Sequence, residues 1–323
     1  MYNLVTLGDI KLDVFIDLGD DAKLQCGVKR DTCEIVMRYG EKIPVDSAVS
    51  MMAGSAANIA IGARRLGSAV SIISVVGQDT TATLAYDGLK KEGISTQYVT
   101  QNGGQSSFSA VLNVQGESTI LAVHRPHTYI LPDNLQTHWL FLTEMGANYK
   151  NLYRDVIARA QKDGMKIGIN PGAIQLEDLD DVLFALLEHT ELLMVNKEEA
   201  QRLCQCDLEE APSLLATLHE LGPHTVIVTN GREGAYASDG KKSYHAPMFP
   251  GERVEATGAG DAFSTGVLAA LIAQQPLALA LAWGSANAAS VVQYVGPQEG
   301  LLTRTQLSAR LAEHPEYSVE PLT

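Results

Sequence analysis

The sequence is poor in positive charge. Its 323 residues include 24 lysines and arginines against 38 aspartates and glutamates, which gives a formal net charge of −14. Proteins that bind nucleic acids draw most of their affinity from clustered Lys and Arg side chains, so this balance argues against a nucleic-acid partner. Any site for a phosphate group must therefore be built locally, from a few residues.

Long apolar runs are lacking as well. The longest one, Val267–Trp283, is interrupted by Gln274, Gln275 and Pro276, which makes it unsuitable as a membrane span. The first nine residues, Met1–Asp9, have the pattern of a strand and a turn rather than the basic and apolar regions of a signal peptide. We therefore expect a cytoplasmic enzyme or binding protein that has no membrane partner.

Cysteine is scarce. Cys26, Cys33, Cys204 and Cys206 are too few to form a disulfide scaffold for a chain of this size. Their spacings, C-x6-C and C-x-C, are not usual for a structural zinc site. We expect reduced thiols with a structural role.

The sequence does contain a glycine-rich segment that carries one carboxylate, Val254–Gly266. Gly258 and Gly260 have no Cβ, so an anion can approach the backbone there, and the helix that begins near Asp261 directs free N–H groups toward that anion. The alternative is that Thr257 or Asp261 only caps the helix while the glycines form a tight turn. The local pattern leaves both interpretations open.

Strands and helices alternate along the chain. The predicted strands are Leu4–Leu7, Ala69–Val76, Trp139–Thr143, Met165–Asn170, Leu192–Asn196 and Thr225–Thr229. The predicted helices are Ala56–Leu66, Thr80–Lys91 and the stretches 151–162, 178–189 and 197–221. Alternation this regular is typical of a doubly wound α/β fold with a mostly parallel sheet. We expect one domain that spans residues 1–323.

Two separate segments, about 13–52 and 100–125, do not follow this alternation. They are predicted to form a small β-sheet lid that is discontinuous in sequence. The predicted lid strands are Glu34–Tyr39, Lys42–Val45 and a hairpin of Ser107–Val114 with Thr119–His124 around the turn Gln115–Glu117.

Two motifs resemble the signatures of a known family. The segment Glu255–Phe263 is similar to the D-T-x-G-A-G-D-x-F signature of the ribokinase-like (PfkB) family of carbohydrate and nucleoside kinases. The segment Ala53–Ala60, followed by Arg65–Gly67, resembles the G-G-x-x-x-N-x-A block of that family and its R-L-G. Their order, their spacing and the chain length all agree with the family. The resemblance implies a ribokinase-like fold with a β lid.

The resemblance also implies roles for individual residues. Asp261 matches the catalytic base of the family, and Gly258, Ala259 and Gly260 match its anion hole. Asp13, Gly54 and Asn58 match residues that bind the substrate. We add Glu144 and Arg125 as candidate substrate contacts because they follow predicted strands, where α/β folds place their ligands.

The implied cofactors are ATP and Mg²⁺. Asn196 and Glu199 resemble the N-x-x-E motif that organises water around Mg²⁺, although the same two residues also form a helix capping box. Residues that match the nucleotide site are Thr229, Gly231, Gly234 and Asn287. Glu255 and Thr257 are the candidates for a monovalent-cation site, such as one for K⁺, and Glu255 stands where the family usually has aspartate.

We therefore expect an ATP-dependent kinase that phosphorylates a sugar hydroxyl, like a ribokinase or fructokinase, and that forms a homodimer through its lid. The alternatives are a nucleoside kinase of the adenosine type and a non-catalytic sugar or nucleotide sensor on the same fold. A dinucleotide-dependent oxidoreductase is disfavoured because no G-x-G-x-x-G follows the first strand.

Overall fold

A ten-stranded sheet forms the centre of the computed structural model, which describes residues 1–19, 23–26, 33–114 and 117–322. Its strands are β1 (Tyr2–Leu7), β6 (Val70–Val76), β7 (Val99–Gln101), β10 (Thr137–Leu142), β11 (Lys166–Ile169), β12 (Thr190–Asn196), β13 (Thr225–Thr229), β14 (Ala235–Ser238), β15 (Ser243–Ala246) and β16 (Glu320–Leu322). Their spatial order is β16-β15-β14-β13-β12-β11-β10-β1-β6-β7.

The central strands of this sheet are parallel, from β7 across to β13. Parallel strands are covered by helices on both faces, and β6 is accordingly buried along its whole length. The edge formed by β14, β15 and β16 is antiparallel, a feature that the alternation of strands and helices did not predict. The predicted doubly wound, mostly parallel sheet is confirmed.

In the part of the chain that the structure describes, ten α-helices surround the sheets. They are α1 (Ser55–Arg65), α2 (Thr80–Lys91), α3 (Lys150–Asp163), α4 (Ala173–Asp178), α5 (Asp181–Leu187), α6 (Lys197–Cys204), α7 (Ala211–Glu220), α8 (Ala259–Ile272), α9 (Leu277–Val291) and α10 (Arg304–Glu313). Apolar side chains of α1, α8 and α9 pack in one core, and those of α3, α5 and α7 pack in a second core. The sheet therefore separates two apolar layers.

A second, four-stranded sheet forms the lid. Its strands are β2 (Lys11–Asp17), β5 (Ser47–Ala53), β8 (Ser107–Val114) and β9 (Glu117–Val123), in the order β5-β2-β8-β9. Lys11, Asp13 and Phe15 alternate with less buried neighbours on β2, so they share its buried face. The predicted turn of the lid hairpin lies partly outside the described residues, at 115–116.

Several predicted elements differ from the structure. No strand forms at Lys42–Val45, and the strand predicted at Glu34–Tyr39 is shorter and earlier: β4 (Cys33–Val36) pairs with β3 (Lys23–Cys26). The single helix predicted at 197–221 is two helices, α6 and α7. The reason is that Gln205 takes a left-handed conformation at the end of α6.

The thiol prediction was wrong for one pair of cysteines. Cys26 and Cys33 are directly opposite in the register of β3 and β4, and they form a disulfide. Cys204 and Cys206 are free and half-buried. Sequence spacing could not reveal the pair, because the pairing of β3 with β4 brings the two sulfur atoms together.

Among the helices of the described residues, none has the length and hydrophobicity that crossing a membrane requires.

Candidate active site

The N-terminus of α8 can bind an anion, and we call this place, formed by Gly258, Gly260 and Asp261, the anion seat. Gly258 has a φ of 82°, and a Cβ at this position would lie 2.4 Å from Cβ of Pro297, so only glycine fits. The N–H of Ala259 donates to the carbonyl of Ala256 at 3.2 Å. Within the described part of the chain, no acceptor bonds the N–H groups of Gly260 and Asp261. These two groups, at the positive end of the helix dipole, are the free donors.

Gly260 leaves this seat accessible. It is exposed, and no described atom lies within 4 Å of the point where a Cβ would stand. The residues of the predicted anion hole, Gly258, Ala259, Gly260 and Asp261, thus have different roles. Gly258 shapes the turn, and the free N–H groups of Gly260 and Asp261 face the opening.

The Asp261 carboxylate lies beside this seat and is suited to act as a base. Its Oδ2 accepts a hydrogen bond from Nδ2 of Asn58 at 2.7 Å. Burial raises the pKa of Asp261 to about 6, the hydrogen bond from Asn58 opposes that rise, and the negative charge of Glu144 adds to it. A carboxyl group with such a pKa is ionised at neutral pH but holds a proton strongly enough to take one from an alcohol in the transition state.

Asn58 is held on α1, which begins immediately after Gly54. Gly54 has a φ of 100°, and a Cβ there would lie 2.4 Å from the carbonyl oxygen of Asp9. The Asn58 Oδ1 accepts a hydrogen bond from Nε2 of Gln298 at 2.9 Å, while its Nδ2 bonds Asp261. The predicted substrate residues Gly54 and Asn58 therefore lie in the site, and both ends of the Asn58 amide contact protein groups.

Asp13 faces the site from the lid. Burial raises the pKa of its carboxyl group, against the effect of the nearby Lys11 charge. Its Oδ1 is buried, and the Ser109 hydroxyl, directly opposite on the neighbouring strand, is close enough to lower that pKa. Neither Asp13 Oδ1 nor Ser109 Oγ makes a hydrogen bond of ordinary geometry with a described residue, so both can bond a polar ligand.

A chain of polar and charged side chains links the lid to the core. Lys11 forms an ion pair with Glu144, and His124 contacts both Glu144 and Asp9 through its two ring nitrogens. Asp9 is fully buried and also accepts from Tyr129 and, at 2.9 Å, from Ser107. The predicted contact Glu144 is therefore inside the site.

The ion pair of Lys11 and Glu144 keeps both groups charged. Burial favours the neutral form of each, yet Lys11 holds the pKa of Glu144 below its usual range, and Glu144 holds that of Lys11 above it. Arg125 lies at the base of the lid, where its backbone N–H donates to Ser107 and its guanidinium donates to the side chain of Gln105. Its guanidinium thus contacts the loop that precedes β8.

A cavity of about 360 Å³ opens on the other side of Gly260. It is lined by Thr229, Gly231, Arg232, Gly234, Ala235, Met248, Phe249, Arg253, Gly260, Phe263, Ser285, Ala289 and Val292. Mostly apolar walls with an anion seat at one end suit a nucleotide, whose base needs an apolar slot. The predicted residues Thr229, Gly231 and Gly234 therefore line one cavity.

Asn196 and Glu199 lie at the end of β12, where they form the capping box of α6. The Glu199 Oε2 accepts from the backbone N–H of Asn196 at 2.9 Å, and burial raises the pKa of Glu199. Asn170, at the end of β11, reaches the same oxygen at 3.5 Å. No group of three or more His, Cys, Asp or Glu side chains in the described residues is arranged to bind a metal directly. Glu199 is thus a single buried carboxylate whose Oε2 is bonded by Asn196 and Asn170.

Two predicted sites are corrected. Asn287 is fully buried; its Nδ2 donates to the carbonyl of Ala262 and its Oδ1 accepts from Leu302, so it joins α8 and α9 and does not face the cavity. Glu255 is also fully buried, and its carboxylate accepts from three protein donors. Together with Thr257, whose hydroxyl donates to Ser118, it does not fit a cation site.

Five further residues contact the predicted site residues without belonging to a predicted motif: Lys11, Ser109, Asn170, Gln298 and Ser118. Lys11 carried a signal, since it is two residues before Asp13 and an alternating strand places both on one face. Asn170 also carried one, as the last residue of a predicted strand. The others have no local pattern that distinguishes them from surface polar residues.

The fold and the site together define an α/β phosphotransferase that has a β lid and an alcohol as its acceptor. The profile of the pfkB family carbohydrate kinases matches residues 28–304, and the chain belongs to this family. It is accordingly a kinase of sugars or nucleosides, in a family that uses ATP.

Individual relatives agree with this assignment. The chain is 26% identical to the ribokinase of Haemophilus influenzae over 272 residues, which cover 81% of this chain and 87% of that protein. It is 26% identical to the fructokinase of Klebsiella pneumoniae over 237 residues, which cover 68% and 76%. The structure of Arabidopsis thaliana ribokinase complexed with ribose and ATP superimposes with a TM-score of 0.78 at 20% identity, over 96% of this chain and 98% of that chain.

Proposed function

We propose that this protein transfers the γ-phosphate of ATP to a hydroxyl group of a sugar, as a ribokinase or fructokinase does. The observation that carries the proposal is the position of Asp261. Its carboxyl group, with a pKa of about 6, is held by Asn58 at the start of α8, where the free N–H groups of Gly260 and Asp261 lie and where Gly260 lines the apolar cavity. The whole chain, residues 1–323, would act as one kinase domain with its lid.

In this proposal the acceptor binds under the lid, where Asp13 and Ser109 bond its hydroxyl groups. Asp261, oriented by Asn58, takes the proton of the reacting hydroxyl while that oxygen bonds to the γ-phosphorus and the bond to the β-phosphate oxygen breaks. The N–H groups of Gly260 and Asp261 stabilise the charge on the transferred group. Mg²⁺, when bound with ATP near Glu199, supplies neutralisation of the phosphate charges.

We propose further that the acceptor is uncharged rather than a sugar phosphate. The Lys11 charge is already neutralised by Glu144, and the Arg125 guanidinium is held by the side chain of Gln105 in the loop that precedes β8. Asp13 and Asp261 add two more carboxyl groups. A second phosphate in this space would meet an excess of negative charge in a partly buried setting, where repulsion is strong.

An assay of ADP formation with a panel of acceptors tests both statements. The panel pairs ribose with ribose 5-phosphate and fructose with fructose 6-phosphate, and adds adenosine and inosine for the nucleoside alternative. We expect ADP to form with a free sugar and the matched phosphate to be a poor acceptor. If no acceptor stimulates ADP formation, the sensor alternative is favoured; preference for a sugar phosphate contradicts the second statement alone.

We also propose that the lid forms a homodimer interface. Strand β9 lies at the edge of the lid sheet, and Ile120, Leu121 and Val123 are each exposed by about half. The opposite edge presents Val49 in the same way. We expect light scattering to give the mass of a dimer and a Leu121→Lys variant to give that of a monomer. A monomeric mass of the unaltered protein at micromolar concentration contradicts this proposal.

A further inference from the structure

Glu255 is a buried carboxylate that is bonded by protein donors on both of its oxygens. Its Oε1 accepts from the backbone N–H of Thr257 at 2.7 Å and from the hydroxyl of Ser118 at 2.9 Å. Its Oε2 accepts from the backbone N–H of Gly296 at 3.0 Å. The Thr257 hydroxyl extends the chain by donating to Ser118 at 3.1 Å. A buried charge is tolerated when it is bonded in this way.

This arrangement does not suit a bound monovalent cation. A cation needs oxygen atoms with free lone pairs, whereas two backbone N–H groups direct their positive ends at the Glu255 carboxylate. The second of these N–H groups, that of Gly296, lies 41 positions further along the chain and bonds Oε2 at 3.0 Å. Three protein donors already bond the two carboxylate oxygens, so at most one of their roughly four lone pairs remains for a cation.

The same carboxylate joins two distant parts of the chain. Ser118 belongs to the lid strand β9, whereas Glu255 and Thr257 directly precede the anion seat at α8. Glu117, the neighbour of Ser118, forms an ion pair with Arg253 at 2.8 Å, and Arg253 lines the cavity. Two adjacent lid residues therefore contact three residues of the segment 253–257. We call these five residues the lid latch.

We propose that Glu255 is a positioning residue that replaces a monovalent cation and, through Ser118, fastens the lid to the segment that shapes the anion seat. The seat is then ordered only when the lid is down, which couples acceptor enclosure to phosphate transfer. The phosphate chemistry rests on the proposed function, but the latch itself is a structural claim. Two consequences follow. K⁺ does not stimulate the reaction, and removal of the bond between Glu255 and Ser118 lets ATP react with water.

The structural claim is tested by hydrogen exchange, without any substrate. We expect the amides of Thr257 and Gly296 to exchange at least about tenfold faster in Ser118→Ala than in the unaltered protein, in line with the loss of a hydrogen bond to a charged group. Thr119→Ala, which removes the next hydroxyl on the same strand, is the matched control and should leave both amides unchanged. Ser118→Thr keeps the hydroxyl and should restore the protection. Equal exchange in Ser118→Ala and Thr119→Ala overturns the latch.

The kinetic claim is tested with the best acceptor from the panel. Rates are measured from zero to about 0.2 M KCl, with choline chloride holding the ionic strength constant. We expect the rate of the unaltered protein to be independent of the KCl concentration. In Ser118→Ala and Glu255→Gln we expect a lower kcat, and more ADP than phosphorylated acceptor. A several-fold rise with K⁺ overturns the replacement of the cation. If no acceptor is found, the proposed function fails, while the exchange data still decide the latch.

Discussion

The pH dependence of catalysis offers a direct test of Asp261 as the base. Because its carboxyl group has a pKa of about 6, roughly one molecule in eleven carries the ionised form at about pH 5 and roughly ten in eleven at about pH 7. We therefore expect kcat/KM to fall about tenfold when the pH is lowered from about 7 to about 5, and to be constant above about pH 7. The assay is the initial rate of ADP formation, with Mg-ATP and the acceptor both below their KM.

The variant Asp261→Asn removes the base but keeps its shape. Loss of a general base costs about 10²- to 10⁴-fold, so we expect a fall in kcat of that size and no remaining acid limb in the pH profile. The stability should not fall. The raised pKa means that the folded protein binds this proton more strongly than the unfolded chain does, so ionisation of Asp261 lowers stability as the pH rises from about 4 to about 6.

The two measurements together distinguish a base from a structural carboxylate. An asparagine cannot ionise, so the melting temperature of the variant near neutral pH should equal or exceed that of the unaltered protein. A flat profile between about pH 5 and about pH 7, or a variant that keeps kcat within about tenfold, would refute the assignment of the base. A variant that loses both activity and stability would show instead that Asp261 mainly holds the fold together.

Two further pairs of substitutions separate folding from function. Gly258→Ala places an alanine at a left-handed φ and against Pro297, so we expect the free energy of unfolding in urea to fall by about 2 kcal/mol. Gly260→Ala has open space, so its stability should be unchanged while its KM for ATP rises. Equal stability losses in the two variants would contradict this difference. Lys11→Met removes the ion-pair partner of the buried Glu144 carboxylate and leaves it only the contact with His124, which we expect to cost about 3 kcal/mol. Adding Glu144→Gln should recover most of that loss, and a simple sum of the two effects would show that the groups are not coupled.

Local motifs made the phosphate end of the site predictable. Gly258, Gly260 and Asp261 lie within four residues of sequence, and the turn, the free N–H groups and the carboxylate all follow from that short segment. The central strands were predictable for a similar reason, because continuous apolar runs such as Val70–Val76 must be buried on both faces.

The partners of these residues were not predictable, because they come from distant parts of the chain. Asn58 and Asp261 are 203 positions apart, and Ser118 and Glu255 are 137 positions apart. Glu255 illustrates the consequence: its place in the motif implied a cation, whereas the donors that surround it in the fold already satisfy its charge. Asn287 is a second example: its position implied a contact with the nucleotide, whereas in the fold it is buried between helices and bonds Ala262 and Leu302.

The sequence by itself determined the class of fold, the family and the identity of the candidate base, since each depends on short patterns of glycine, carboxylate and apolar residues. The tertiary structure alone decided how that base is tuned and what closes over it. The pKa of Asp261 depends on burial and on Asn58 and Glu144, and the contact between lid and anion seat depends on Glu255 meeting Ser118. Such effects need atoms within a few ångströms, and only the folded chain brings them there.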